Sequence, residues 1–270
     1  EHPTCGQLAA FLTSGPTPAP SAPSARPAEV DVAARRPLRT DAPMSRCATV
    51  VGLTARAAAA DSREDFWALL REGREGTHFL SHAELRMHGV PPAEFTDADY
   101  VKAQARVKDV YGFDADFFCV PSHLAATMGP SQRCFVEAVY HGLQDAGVSD
   151  HPGSETAVFA GMGENDYLQG GFRDADALQA HLGNEKDYLA TRVANLLDLR
   201  GPAMTLQTAC SSGLVAVTRA CLSLLACECS TAVAGAVSLA PLTQGGYRAE
   251  PGLMFSPDGR CRAFAKDAAG

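Results

Sequence analysis

The stretch that decides the fold is residues 201–225, which read GPAMTLQTACSSGLVAVTRACLSLL. The run before Thr208 is strand-like, with the strand predicted over residues 204–208, and residues 211–225 are an apolar run long enough for a helix. The pattern therefore predicts a strand, a sharp turn and a helix, with Cys210 in the turn. Unpaired N–H groups and the helix dipole stabilise negative charge at the start of a helix. They favour the thiolate of Cys210, which is the nucleophilic form of cysteine.

The polar residues of this turn have a simpler interpretation beside the catalytic one. A cysteine with apolar neighbours is more often a buried structural residue than a nucleophile, and only the strand–turn–helix context shifts Cys210 toward catalysis. Ser211 and Ser212 are short and polar, which suits the start of a helix. We therefore expect the two serines to cap the helix that follows Cys210.

Strands and helices alternate along most of the chain. The predicted strands are apolar on both faces, which is typical of a sheet covered by helices on both sides. The sequence therefore predicts an α/β fold. The predicted strands are residues 48–53, 156–161, 204–208 and 231–237. The predicted helices are residues 62–73 with Ser62 as cap, one or two helices within 123–146, and residues 188–197 and 211–225.

The first part of the chain has a different composition. Residues 1–12 are typical of the end of a short amphipathic helix. The tract that follows is rich in proline, alanine and serine, cannot bury apolar surface and favours an extended linker. Ordered structure is expected to begin near Cys47, so the predicted boundaries are 1–12, 13–46 and 47–270.

Composition excludes several functional classes. The 270 residues carry a formal net charge of −8 and no cluster of basic and aromatic residues, which argues against a nucleic-acid surface. No apolar run is long enough to span a bilayer, and the chain does not start like a signal peptide, so no membrane contact is expected. An acidic chain with irregularly spaced cysteines is typical of a cytoplasmic protein with reduced, buried thiols.

No metal or nucleotide site is predicted. Cys227 and Cys229 are the only close cysteine pair, and they lack further ligands at zinc spacing. Gly161 and Gly163 follow a predicted strand but do not complete a dinucleotide fingerprint. The eight histidines are interpreted as surface or locally satisfied residues.

Several motifs together resemble a known family. They are KDYLATRVA at 186–194, LRGP at 199–202, QTACSS at 207–212, FSPDGRCRAF at 255–264 and FDADFF at 113–118, with Gln132 and Arg133. In these segments the chain resembles the ketosynthase (β-ketoacyl synthase) domain of modular type I polyketide synthases. The resemblance extends over residues 47–270, and Gln207, where many members have Asp, resembles ketosynthases of mixed peptide–polyketide synthases.

The resemblance implies a fold, a reaction and partners. The fold would be thiolase-like, with layers of helices and sheets, of which this chain holds the N-terminal half. Cys210 would accept an acyl chain from a carrier protein, and decarboxylative Claisen condensation with a malonyl-type extender would follow. The domain would bind no cofactor, because phosphopantetheine belongs to the partner carrier domains. A homodimer is also implied, with the strand before Cys210 near the two-fold axis.

The resemblance also extends to the N-terminus and leaves one alternative open. Residues 1–12 resemble the last helix of a carrier domain, which would make residues 13–46 a carrier-to-ketosynthase linker. The family's two catalytic histidines lie well beyond the nucleophile, and no histidine follows His181 here. The alternative is therefore a non-condensing domain of the same fold, with a structural or transacylating role.

Overall fold

A computed structural model describes residues 47–148, 154–167, 177–239 and 245–270. Short elements make up the region before the central sheet. They are α1 (Arg63–Arg71), β1 (Thr77–Phe79), α2 (His82–Met87), α3 (Pro92–Phe95), β2 (Tyr100–Val101) and β3 (Ala103–Ala105). β1 and β3 form an antiparallel pair in which His78 lies opposite Gln104. The predictions for residues 1–46 lie outside the described residues.

The elements that position the site follow in the second part of the chain. They are α4 (Ser122–Thr127), α5 (Pro130–Asp145), β4 (Thr156–Met162), α6 (Ala177–Asn184), α7 (Leu189–Leu196), β5 (Ala203–Thr205), α8 (Ser212–Leu225), β6 (Thr231–Val237) and β7 (Tyr247–Arg248). Short 3-10 turns at Lys186–Tyr188 and Ala209–Ser211 precede α7 and α8. β2 pairs with β7, which ties the last described segment to the first region.

A parallel three-stranded sheet in the order β5-β4-β6 is the centre of the fold. Val158 of β4 lies opposite Ala203 of β5 on one side and Val233 of β6 on the other. All residues of β4 are buried, which is why this strand reads as a continuous apolar run rather than an alternating one. The α/β prediction is confirmed.

The two faces of β4 belong to two separate cores. Val158, Ala160 and Met162 point into the larger core, which is closed by α5 and α7. Ala157 and Phe159 point into the smaller core, where they pack beneath α8. The predicted covering of the sheet by helices on both sides is therefore confirmed, and α8 depends on the smaller core for its position.

Local signals for the helices agree with the structure. Ser62 caps α1 by accepting a hydrogen bond from the Asp65 N–H at 3.1 Å, and Gly73 follows the helix with φ +63°. Of the one or two helices predicted over 123–146, the structure has two, α4 and α5, because Pro130 interrupts the run and starts the second. β6 has the predicted bounds.

The strand predicted at 48–53 is not formed. Val50 and Val51 are 80% and 61% exposed, and the segment lines an open cleft of about 1000 Å³ whose opposite wall includes β6. A strand requires a partner for its backbone N–H and C=O groups. Within the described residues no strand pairs with this segment, so its apolar pattern alone does not make it a strand.

The motif at 255–264 forms a turn around one carboxylate. Asp258 accepts hydrogen bonds from the Ser256 hydroxyl at 2.5 Å, the Arg262 guanidinium at 2.6 Å and the Arg260 N–H at 3.1 Å. The Ser256 hydrogen bond, followed by those from Arg262 and Arg260, lowers the pKa of Asp258 to about 2. Gly259 has φ +76° and packs so closely on the β1–β3 pair that a Cβ there would lie 2.5 Å from the Cβ of Ala103.

We expect Asp258→Asn to destabilise the protein in a pH-dependent way. The folded pKa of about 2 lies below the value of about 3.9 of an unfolded aspartate, so the carboxylate stabilises the folded state above about pH 4. That contribution is lost as the pH falls toward 2. Thermal melts should therefore show a lower melting temperature for the variant at pH 6 and a smaller difference at pH 3.

The control for this experiment is Asp198→Asn, which removes a surface carboxylate paired with Arg200 at 3.3 Å. A difference between wild type and Asp258→Asn that stays constant from pH 6 to pH 3 would show that the Asp258 carboxylate does not hold the turn.

Candidate active site

Cys210 lies where the sequence places it, between a strand of the central sheet and a helix. β5 ends at Thr205, the 3-10 turn Ala209–Ser211 follows, and α8 begins at Ser212. The strand is shorter than predicted, although the Leu206 N–H still donates to the Ala160 carbonyl of β4 at 2.7 Å. We call residues 208–212 the Cys210 turn.

The backbone of the Cys210 turn adopts a conformation that alanine rarely takes. Ala209 has φ +53°, in the left-handed region. This region costs an L-residue about 1–2 kcal/mol, so the surrounding contacts must hold it. The left-handed residue reverses the chain immediately before the cysteine, and Cys210 is exposed.

The serine hydroxyls point back into this turn, so the capping prediction is wrong. Ser211 is the N-cap residue of α8, but its side chain makes no capping hydrogen bond. Its hydroxyl instead lies 2.8 Å from the Thr208 carbonyl and 2.9 Å from the Thr208 Oγ1. The reversal at Ala209 puts the carbonyl and hydroxyl oxygens of Thr208 within reach, which a local capping rule does not anticipate.

Ser212, unlike Ser211, is buried and holds the backbone of the turn through its hydroxyl. It is 6% exposed, donates its hydroxyl hydrogen to the Ala209 carbonyl at 2.8 Å and accepts from the Thr208 N–H at 2.9 Å. A Cβ placed on Gly161 of β4 would lie 2.6 Å from the Cβ of Ser212. Gly161 thus has a packing role. The same holds for Gly163, where a Cβ would lie 2.7 Å from the Cβ of Ser238.

The interpretation of Cys47, Cys119, Cys134, Cys210, Cys221 and Cys261 as buried is wrong for four of the six. Cys47, Cys119, Cys210 and Cys261 are exposed, because apolar neighbours in sequence do not determine which face a residue occupies. Cys227, which was not part of that interpretation, is also exposed. Cys134 and Cys229 are buried. Burial raises the pKa of the Cys134 thiol.

Cys227 is a second exposed cysteine next to α8 and can be compared directly with Cys210. Cys210 lies just before the N-terminal end of α8, and Cys227 lies just after its C-terminal end. The two exposed thiols therefore lie at opposite ends of the same helix, which makes Cys227 a matched comparison for Cys210.

The described histidines are exposed or half-buried, and several have local partners. His78 lies 2.8 Å from Glu84, His82 lies 2.8 Å from Lys102, and His181 lies 3.5 Å from Glu185. His2 and His151 lie outside the described residues. In the described ranges, no group of His, Cys, Asp and Glu residues is arranged to hold a metal ion.

Sequence reasoning missed the residues that support the cysteine. Gly161 and Ala209 received no role in the site, and Ser212 was interpreted as a cap. A glycine inside an otherwise apolar strand is a recognised sign of close backbone approach, so Gly161 was the one available signal. The left-handed conformation of Ala209 has no such signal.

Known proteins similar in sequence to this chain are β-ketoacyl synthases and polyketide synthases. The family model for the beta-ketoacyl synthase N-terminal domain matches residues 47–270. A phenolphthiocerol/phthiocerol polyketide synthase polypeptide of Mycobacterium tuberculosis is 39% identical in an alignment that covers 80% of this chain and 15% of that protein. The highly reducing polyketide synthase sorA of Penicillium rubens is 37% identical over 82% of this chain and 9% of its own length.

A solved structure shows the same fold. Ketosynthase twelve of the bacillaene polyketide synthase of Bacillus amyloliquefaciens matches with a TM-score of 0.74 and 29% identity, over 82% of this chain and 40% of that one. This chain therefore spans less than half of the ketosynthase structure and a small part of the curated relatives. Within the described ranges, no helix has the length and apolar content that a bilayer crossing requires.

The parallel sheet and the Cys210 turn between β5 and α8 are consistent with these matches in sequence and structure. Together they show that this chain belongs to the β-ketoacyl synthase family: it is the N-terminal part of a ketosynthase domain of the polyketide synthase type, with the thiolase-like fold.

Proposed function

We propose that Cys210 accepts an acyl chain from a carrier protein, as the first step of decarboxylative condensation with a malonyl-type extender. The observation that carries this proposal is the exposed thiol of Cys210, presented by a left-handed turn at the start of α8. The membership of the chain in a family of transferase-type condensing enzymes supports the same reaction.

The proposed acyl transfer uses groups of the turn itself. The Cys210 thiolate attacks the carbonyl carbon of a carrier thioester, and the phosphopantetheine thiolate of the carrier leaves and takes up the proton that Cys210 released. Negative charge develops on the carbonyl oxygen in between. The Cys210 N–H is a suitable donor to that oxygen, because the first N–H groups of a helical turn have no partner within it.

Condensation needs further groups. The extender thioester loses carbon dioxide, its electron pair attacks the acyl carbon on Cys210, and the Cys210 thiolate leaves. Stabilising the carbanion requires polar groups, which the family resemblance assigns to two histidines beyond the nucleophile. We propose that these lie in the remainder of the ketosynthase domain, since this chain spans 40% of the ketosynthase structure it matches.

The coding sequence downstream of the Gly270 codon separates this proposal from the alternative. A His-Gly-Thr-Gly-Thr-like motif followed by a second histidine in an Asn-Ile-Gly-His-like motif would support a condensing domain. An in-frame continuation of the domain that lacks either histidine would instead support a domain that transfers or holds acyl chains without elongating them.

The proposed partners are acyl- or peptidyl-carrier domains and a second copy of the chain. β5 is an edge strand of the described sheet, and Met204 on it is 41% exposed, which supports a two-fold contact near the Cys210 turn. We propose that residues 1–12 end a carrier domain and that residues 13–46 link it to the ketosynthase. We also propose a cytoplasmic location, where thiols stay reduced.

Acyl loading should be selective among the exposed thiols. We expect the 270-residue chain, incubated with an acyl N-acetylcysteamine thioester, to carry the acyl group on Cys210 and not on Cys227, in peptide mapping by mass spectrometry. The two thiols are both exposed and differ in their position on the dipole of α8. We expect loading without condensation when a malonyl thioester is added.

Two results would contradict these expectations. An acyl group distributed over Cys47, Cys119, Cys227 and Cys261 in proportion to their exposure would remove the special role of Cys210. A condensation product released by this chain would show that the groups that stabilise the carbanion lie within residues 1–270.

A further inference from the structure

Through its hydroxyl, Ser212 hydrogen-bonds the backbone N–H of the residue before Ala209 and the carbonyl of Ala209 itself. Its hydroxyl oxygen accepts from the N–H of Thr208, before Ala209, and its hydroxyl hydrogen goes to the carbonyl of Ala209. The Ala209 carbonyl receives a second hydrogen bond from the Ser212 N–H. A single buried residue therefore holds the chain on both sides of the position that the backbone least favours.

The Ala209 carbonyl matters because of the peptide unit to which it belongs. That unit joins Ala209 to Cys210, so it also contains the Cys210 N–H. A trans peptide is planar, with its C=O and N–H on opposite sides. Two hydrogen bonds that hold the Ala209 carbonyl toward the buried side chain of Ser212 therefore direct the Cys210 N–H the other way, toward the exposed side of the turn.

Ser212 is in turn held by the sheet. The approach of Gly161 is so close that any side chain there would overlap Ser212, with 2.6 Å between the two Cβ positions. Gly161 belongs to β4, the central and fully buried strand. The direction of the Cys210 N–H is thereby tied, through Ser212, to the central and buried strand of the sheet.

We propose that Ser212, packed on Gly161, is a positioning residue that orients the Cys210 N–H toward the oxygen of the reacting thioester. This inference rests on the proposed acyl transfer to Cys210 and adds a second residue to it. Ser212 acts through the backbone and does not touch the acyl group. Ser211, which is exposed and bonds only to Thr208 in the described contacts, has no part in this orientation.

The test compares two reactions of the same thiol. Attack on a thioester develops an oxyanion, whereas alkylation by iodoacetamide displaces iodide and develops none. In the full chain we expect Ser212→Ala to slow acyl loading of Cys210 at saturating thioester by roughly 10- to 100-fold, since losing one oxyanion donor costs about 10²–10³ in rate. We expect alkylation of Cys210 to change by less than about threefold.

Two control variants separate orientation from stability. Ser223→Ala removes another fully buried hydroxyl from α8, one that donates to Glu228 at 2.7 Å, far along the helix from the cysteine. Ser211→Ala removes the exposed hydroxyl of the turn. We expect both variants to load Cys210 within about threefold of the wild-type rate.

The outcomes are distinguishable. Equal loss of loading and of alkylation in Ser212→Ala, or equal loading in Ser212→Ala and wild type, would overturn the positioning role. Ser212→Thr keeps the hydroxyl, and we expect it to retain loading; a loss as large as that of the alanine variant would also overturn the role. Wild-type chain that alkylates but never loads would instead contradict the proposed function.

Discussion

Cys210→Ala is expected to abolish covalent acyl loading, with a rate at least roughly 10³-fold below that of the wild-type chain. Without its nucleophile the chain cannot form the covalent acyl intermediate. In well-studied hydrolases, removing the nucleophile lowers the rate by more than about 10³-fold. The side chain is exposed, so the free energy of unfolding is expected to change by less than about 0.5 kcal/mol. Intact-protein mass spectrometry after incubation with an acyl thioester measures the effect.

The matched control is Cys227→Ala, which removes an exposed thiol at the opposite end of α8. It is expected to load as fast as the wild-type chain. An alanine variant of Cys210 that still gains one acyl group would show that another residue is the nucleophile.

Phe159→Ala is expected to lower the free energy of unfolding by about 3–5 kcal/mol. Phe159 is fully buried, and among the described residues it is the only large buried side chain of the smaller core, where the others are alanines and a cysteine. The Arg219 guanidinium of α8 also lies 5.8 Å from the centre of its ring. Loss of the ring leaves a cavity directly beneath the helix that carries the Cys210 turn.

Urea unfolding followed by circular dichroism measures this loss, with the slope of the transition unchanged if only stability is affected. Leu214→Ala on α8 is the control, because Leu214 is 76% exposed and its truncation is expected to cost less than about 0.5 kcal/mol. Similar midpoints for both variants would show that the smaller core does not support α8.

The two variants together connect fold and site. Cys210→Ala removes chemistry without changing stability, whereas Phe159→Ala reduces stability and so lowers loading only as far as the folded fraction falls. Moderate urea should therefore decrease loading in Phe159→Ala at concentrations where the wild-type chain still loads fully.

Local patterns in the sequence were reliable where burial alone shapes a segment. β4 was predicted because a strand enclosed by helices must be apolar along its length. β6 was predicted from the same kind of apolar run, although its residues are only half-buried or exposed. The start of α1 was predicted because the hydrogen bond from Asp65 to Ser62 joins neighbours in the chain. In each case the signal is carried by residues that are close in sequence.

The failures share a different cause. Residues 48–53 have the composition of a strand, but a strand also needs a neighbouring strand, and composition does not supply one. The exposure of Cys47 and Cys261 depends on which surface each segment reaches, which neighbouring residues do not reveal.

The sequence by itself determined the α/β class, the order strand–turn–helix around residue 210 and the presence of a cysteine at that turn, because these follow from the local periodicity of apolar side chains. Only the tertiary structure decided that Ala209 is left-handed and that Ser212 faces inward against Gly161. The physical reason is that this contact joins β4 to α8 across the sheet, and the energy that holds an unfavourable backbone angle comes from atoms distant in sequence.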